Sequence, residues 1–202
     1  MYLQYGKRIF DVLFVLAIAP LVLPLGIAVA IAVRWWLGSP VLFRQTRVGG
    51  GERLFTLYKF RSLAPPPGGD PRAVTDDKRL NAFGRFLRSA SLDELPQFWN
   101  ILRGDMSVVG PRPLLDIYIP RYSPKERRRH SIPQGITGWS QVNGRNAVSW
   151  GERFEQDLWY VDHRGLILDL QIVLLTVYRV FSRSGISKPG VATNEEFQGT
   201  IS

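Results

Sequence analysis

The chain has 202 residues, 45% hydrophobic and 21% charged, which suits one ordinary domain with a real core and excludes a disordered polyelectrolyte. It has no cysteine and only two histidines, His130 and His163, so disulfide scaffolds, thiol nucleophiles, iron–sulfur clusters and Cys-type zinc sites are excluded, and no H-E-x-x-H spacing supports a zinc hydrolase. The formal net charge of +9, from 26 Lys+Arg against 17 Asp+Glu, favours anionic partners such as phosphates, nucleic acid or acidic headgroups, although genomic base composition also explains an arginine excess.

The first element is an uncharged run from Val12 to Val33. As a helix it would reach roughly 33 Å, enough to cross a bilayer core. Three readings compete: a signal peptide, with Ala28-Val29-Ala30 as a small-residue cleavage site; a straight spanning anchor; and a hairpin that enters and leaves by one face. The run is long for a signal core. Pro20 and Pro24, followed by Gly26, predict a bend near its middle. Lys7 and Arg8 precede it, and Arg34, Arg44 and Arg47 follow. Positive charge tends to stay in the cytoplasm, so charge at both ends favours the hairpin.

Residues 41–47 and 54–61 read as two short strands joined by a glycine turn. The Pro/Gly-rich stretch from Ala64 to Pro71 is a loop. A helix is predicted over 79–90, with Leu80, Phe83 and Leu87 as its buried stripe. Ser91 and Glu94 fit a capping box; alternatively Pro96 opens a helix that starts nearer to it. Either way Asp93 and Glu94 lie at or just before a helix N-terminus. Met106 to Val109 is a short apolar stretch. Gly110-Pro111-Arg112-Pro113 stiffens the chain around Arg112. Ser123 starts a helix that leads into Arg127-Arg128-Arg129, a triplet that reads equally well as a lipid contact or a solvated face. Residues 133–146 are irregular. Ser149 and Glu152 cap a further helix. Residues 166–181 form an apolar helix, buried or lying in a membrane interface.

No P-loop, dinucleotide fingerprint or nucleophile elbow is present. The available chemistry is therefore carboxylates, arginines and Lys59. Asp93 and Glu94 are either helix-dipole partners or a catalytic pair. Lys59, Arg88, Arg112 and Arg145 are the bases suited to phosphate oxygens, and an Asp can bind Mg²⁺ or attack phosphorus.

The motifs Lys7-Arg8-x-x-Asp11, Tyr58-Lys59-Phe60-Arg61, Arg88-Ser89-x-Ser91-Leu92-Asp93-Glu94-Leu95-Pro96-Gln97, Gly104-Asp105-Met106-Ser107, Gly110-Pro111-Arg112-Pro113, Pro133-x-Gly135-Ile136-Thr137-Gly138 and Gln141-Val142-Asn143-Gly144-Arg145-Asn146 resemble those of small monotopic phosphoglycosyl transferases of the bacterial sugar transferase family. The match extends to Ser184–Lys188. The resemblance implies an α+β, mostly helical fold: a re-entrant membrane helix-break-helix over 1–36, broken at Pro24, and a catalytic domain over 37–202. That domain would carry a short β-hairpin and interfacial amphipathic helices around an active site at the cytoplasmic face of the bacterial inner membrane. It implies transfer of a sugar 1-phosphate from a UDP-sugar to polyprenyl (undecaprenyl) phosphate, with Mg²⁺ as cofactor, membrane lipids as partners and no nucleic acid. Asp93 would be the nucleophile and a metal ligand, Glu94 would position the metal or acceptor, and Lys59, Arg88, Arg112 and Arg145 would contact phosphate. Asp169, a lone acid in an apolar helix, is an additional site candidate. A lipid-phosphate hydrolase and a basic membrane-anchored binding protein are the alternatives.

Overall fold

The computed structural model describes residues 2–64, 76–144, 148–182 and 196–199. A π-helical turn, Tyr2–Gly6, leads into α1, the 30-residue helix Lys7–Trp36. Among the described residues, α1 is the one helix long and apolar enough to cross a membrane, and the rest of the protein covers little of it. The break expected at Pro24 is corrected, because the helix runs through both Pro20 and Pro24. Each proline deletes one donor, leaving the carbonyls of Leu16 and Pro20 without their i+4 partners. Both gaps fall on one face, four residues apart, so a single strip is weakened while about three turns continue on each side. That strip is exposed at Leu16, Pro20 and Pro24.

Burial on α1 is confined to its two ends, at Asp11 and Val15 and again at Val29 and Val33. At the amino-terminal end, Arg8 donates to the carbonyls of Ile101 and Leu102, the last of them at 2.5 Å. These carbonyls belong to the final turn of α4, Gln97–Arg103, where acceptors lack intrahelical partners. Asp11 accepts from Ser107 Oγ and the Val108 N–H, both at 2.9 Å. At the other end, Arg61 donates to the carbonyls of Leu37 and Ser39, closing the carboxyl terminus of α1. Val29, Val33 and Leu37 pack there with Phe60 and Leu87.

An antiparallel hairpin follows, β1 (Leu42–Val48) and β2 (Leu54–Phe60), paired from Leu42↔Phe60 to Val48↔Leu54. Its boundaries lie within one residue of the predicted ones. The helix expected over 79–90 is split into α2, Asp76–Arg79, and α3, Ala82–Ser89, because Asn81 caps the second by accepting from the Gly84 N–H. A second, parallel pair joins β3 (Ser107–Val109) to β4 (Gly135–Thr137). With three residues each, neither strand is long enough to show a period-two pattern.

Next come α5, Pro124–Arg127, then α6, Trp139–Asn143, α7, Trp150–His163, and α8, Leu166–Ser182. The capping boxes of Ser123 with Glu126 and of Ser149 with Glu152 are both present. α8 turns Asp169 and Ile172 inward and exposes Ile167, Leu170, Leu174, Val177 and Tyr178. An exposed apolar face opposite a buried carboxylate reverses the ordinary pattern of a surface helix and suits a membrane interface.

The basic triplet divides: Arg127 and Arg128 are exposed, as a solvated face requires, whereas Arg129 is buried. Arg129 is 0% exposed and pairs with Asp157, while Arg128 meets Asp162 at 2.5 Å and Arg127 meets Glu52 at 3.4 Å. A third core cluster gathers Leu114, Tyr118, Tyr122 and Phe154 around Phe197 from the carboxyl-terminal segment. His130 is buried beside Tyr122.

Burial, reinforced by the neighbouring Arg129 charge, pulls His130 down to about 3. Its folded-state value thus lies below the unfolded one. The unfolded chain binds the extra proton between these values, so stability falls as pH drops from about 6.5 toward 3. The other histidine, His163, is exposed. Equilibrium unfolding in detergent should lose about 2 kcal/mol between pH 7 and pH 5. His130→Phe should flatten that loss; an equally steep loss in the variant would refute the assignment.

Candidate active site

Asp93 and Glu94 owe their position to a reversal of the chain after α3. Ser91 adopts a left-handed conformation, φ 55°, and the next three residues, Leu92–Glu94, form one 3₁₀ turn. The expected capping box of Ser91 with Glu94 is therefore absent: the Ser91 side chain caps nothing, and α4 begins at Gln97 behind Pro96. The alternative start near Pro96 is the one the structure takes. Two charge-assisted bonds to cations outweigh the ~1 kcal/mol of a cap, so the Glu94 carboxylate turns to the bases.

One oxygen of Glu94, Oε1, accepts from Lys59 Nζ and from Arg112 Nη2, both at 2.7 Å. Lys59 Nζ also stands 3.7 Å from Asp93 Oδ2. Lys59, Arg112, Asp93 and Glu94 are thus brought together, a grouping that only the family resemblance had implied. Burial alone would disfavour ionised Glu94, but Arg112 and Lys59 outweigh it and hold its carboxyl well below the usual range. The Glu94 charge in turn raises Arg112. Asp93 is only 7% exposed. Burial pushes its carboxyl up; Lys59 opposes the rise and the Glu94 charge adds to it. The two carboxylates are differentiated: Glu94 is neutralised by cations, and Asp93 carries the less compensated charge. Arg88 completes the surroundings, lying near enough to favour the Asp93 carboxylate and donating from Nε to Ser62 Oγ at 2.9 Å. Arg145 lies outside the described residues.

Asp169 belongs to another network. It is 0% exposed and accepts from Tyr160 Oη at 2.6 Å, Lys7 Nζ at 2.8 Å and the Tyr2 hydroxyl. These contacts tie α8 to the start of α1, and they share no residue with the contacts of Asp93 and Glu94.

Several positioning groups escaped the sequence reading. Asn100, fully buried on α4, accepts from the Tyr58 N–H at 3.1 Å and donates to the Thr56 carbonyl at 2.7 Å. It locks β2, and with it Lys59, against the helix that follows Asp93 and Glu94. A buried amide among the apolar residues of α4 was the available signal. The Arg112 loop is docked by glycines. A Cβ on Gly135 would lie 2.1 Å from the Gly110 nitrogen, and one on Gly138 would lie 2.2 Å from the Gly110 carbonyl oxygen. The motifs around Gly110 and Gly135 thus answer each other, backbone against backbone.

Among the described residues no group of three or more His, Cys, Asp or Glu side chains is placed to hold a metal.

A buried carboxylate pair facing one lysine and two arginines offers fixed cations of the kind that match phosphate oxygens. The comparisons with known proteins agree. The family described as bacterial sugar transferase matches residues 2–183. The uncharacterized sugar transferase EpsL of Bacillus subtilis (strain 168) is 46% identical over 197 residues, covering 96% of each chain. A UDP-glucose:undecaprenyl-phosphate glucose-1-phosphate transferase of Xanthomonas campestris pv. campestris is 39% identical over 194 residues, 90% of this chain and 40% of the relative. A UDP-N-acetylgalactosamine-undecaprenyl-phosphate N-acetylgalactosaminephosphotransferase of Aeromonas hydrophila is 36% identical over 187 residues, 89% of this chain and 44% of the relative. The chain therefore spans less than half the length of these last two. This chain belongs to the bacterial sugar transferase family.

Gly135→Ala should drive a methyl group into the Gly110 backbone, where no flexible side chain can yield. The expected cost is about 3 kcal/mol, or ~6–12 °C in Tm for a chain of this size. A melting curve matching wild type would show that the two glycine segments do not touch.

Proposed function

We propose that the chain transfers a sugar 1-phosphate from a UDP-sugar to polyprenyl phosphate, giving a polyprenyl diphosphate-sugar and UMP. The observation that carries this reading is the division of labour between the carboxylates: both close cations converge on Glu94, and Asp93 is left beside Lys59 with its charge only partly compensated. An Asp93 oxygen attacks the sugar-bearing β-phosphorus and forms an acyl phosphate bond. The bond from that phosphorus to the bridging oxygen breaks, and UMP leaves with the electron pair. A phosphate oxygen of the acceptor then attacks the same phosphorus and expels the Asp93 carboxylate. The acceptor phosphate is already ionised, so no strong general base is required.

Lys59, Arg88 and Arg112, together with Arg145, bind the phosphate oxygens and stabilise the charge that spreads over them. Glu94 holds Lys59 and Arg112 at fixed positions. Asp93 is also the carboxylate that would hold a Mg²⁺ ion, which would offset diphosphate charge that otherwise repels a carboxylate.

The acceptor keeps its tail in lipid, so the site belongs at a membrane surface. We assign residues 1–36 to a re-entrant, monotopic membrane segment and 37–202 to the catalytic part on the cytoplasmic face of a bacterial inner membrane. Burial at both ends of α1, with none between Val15 and Val29, supports this reading. So do Pro20 and Pro24, whose missing donors fall on one exposed strip between the two buried ends. The exposed apolar face of α8 adds an interfacial contact.

Incubating the purified protein with Mg²⁺ and a panel of UDP-sugars, without acceptor, tests the two-step route. The expected result is a mass increase of one sugar phosphate and about one UMP per active protein, both abolished in Asp93→Asn. UMP released only when polyprenyl phosphate is present, with no adduct, would point to direct transfer instead.

A further inference from the structure

Arg112 sits between two prolines, Pro111 and Pro113, neither of which has an N–H to donate. The carbonyl oxygens are therefore the main handles by which this segment is held, and three in succession are gripped. Pro111 accepts from the Gly135 N–H at 2.9 Å. Arg112 accepts from Arg129 Nη2 at 2.7 Å, and Pro113 accepts from Arg47 Nη1 at 3.4 Å. The middle grip is backed by a chain of buried partners. Arg129 donates from Nε and Nη2 to Asp157 Oδ2, at 3.1 and 2.8 Å. Asp157 Oδ1 accepts from Ser140 Oγ at 2.7 Å. Gln134 donates to the Arg129 carbonyl at 3.0 Å. Arg129, Asp157, Ser140 and Gln134 are all buried, and the Arg129 guanidinium lies over the Phe154 ring at 5.7 Å.

A buried ion pair is a weak way to gain stability, because desolvating both charges offsets their attraction. Its other use is geometric: a planar guanidinium held on one edge by a carboxylate presents its remaining donors in a fixed direction. Here a remaining donor meets the backbone of the residue whose side chain holds Glu94. We propose that the Arg129–Asp157 pair, steadied by Ser140, is a positioning device for Arg112, setting the depth at which its guanidinium meets Glu94 and the substrate phosphate. Arg129 and Asp157 touch no substrate; they act through the Arg112 main chain. The inference rests on the transferase reading.

The test is a double-mutant cycle on UMP release, with a UDP-sugar that wild type turns over and saturating polyprenyl phosphate. Asp157→Asn should lower kcat/KM about tenfold or more when Arg112 is present, by displacing a phosphate-binding group. In an Arg112→Lys background, where a shorter side chain with a single ammonium replaces the guanidinium fork and no longer reads that position, the same change should cost less than about twofold. Equal factors in both backgrounds would mean a general structural loss and would overturn the proposal. Should Asp157→Asn fail to fold, Ser140→Ala leaves the ion pair intact and replaces it in the cycle. It should give a smaller loss, about threefold, again only with Arg112 present. No effect of Ser140→Ala in either background would likewise overturn the proposal. If wild type releases no UMP from any UDP-sugar, the transferase reading and this inference fall together. If wild type is active and only the cycle is additive, the positioning role alone is lost.

Discussion

Two cations share one oxygen of Glu94, and the site is organised around that contact. Lys59 arrives on β2, Arg112 on a prolyl loop, and Glu94 on the turn after α3. The charges are partly desolvated, so each attraction is stronger than at a surface, and removing any one would leave the others uncompensated. The same contact separates two adjacent carboxylates that would otherwise be equivalent. Glu94 is held ionised and occupied, whereas burial works against the charge on Asp93. Neighbouring carboxyl groups pushed in opposite directions is how one site obtains two roles from one chemical group.

The three carriers are held from behind. Asn100 fixes β2 to α4, the glycine contact docks the prolyl loop on β4, and Arg129 grips the Arg112 carbonyl. The apolar helix is joined to the same frame. Arg8 enters the last turn of α4, and Arg61 closes the end of α1 from just beyond β2. Thus α4 and β2, which set the positions of the carboxylates and Lys59, also receive the two ends of the apolar helix α1.

Much of this was legible in the residues themselves. The apolar run, the β-hairpin, the helix start at Ser123, the cap of Ser149 with Glu152 and the apolar helix over 166–181 follow local rules of period, turn chemistry and capping. The resemblance added the grouping of Lys59, Asp93, Glu94 and Arg112. What failed did so where a tertiary contact outbid a local one. Glu94 fits a capping box by spacing, yet two distant cations draw it away. The break that the resemblance placed at Pro24 failed for a different reason: the helix runs on past the two lost donors. Arg129 lies in a basic triplet that reads as surface, and its burial depends on Asp157 from a helix 28 residues on. The β3–β4 pair was hidden because its signal is the absence of side chains at Gly110, Gly135 and Gly138 rather than a pattern of them.

The central claim is that Glu94 is the tethered carboxylate and Asp93 the reacting one. Peptide mapping of the donor-treated protein by tandem mass spectrometry addresses it directly, since the two residues are adjacent and a fragment series separates them. The account predicts the sugar phosphate on Asp93 and none on Glu94. A modification on Glu94, or one that persists unchanged in Asp93→Asn, would contradict it.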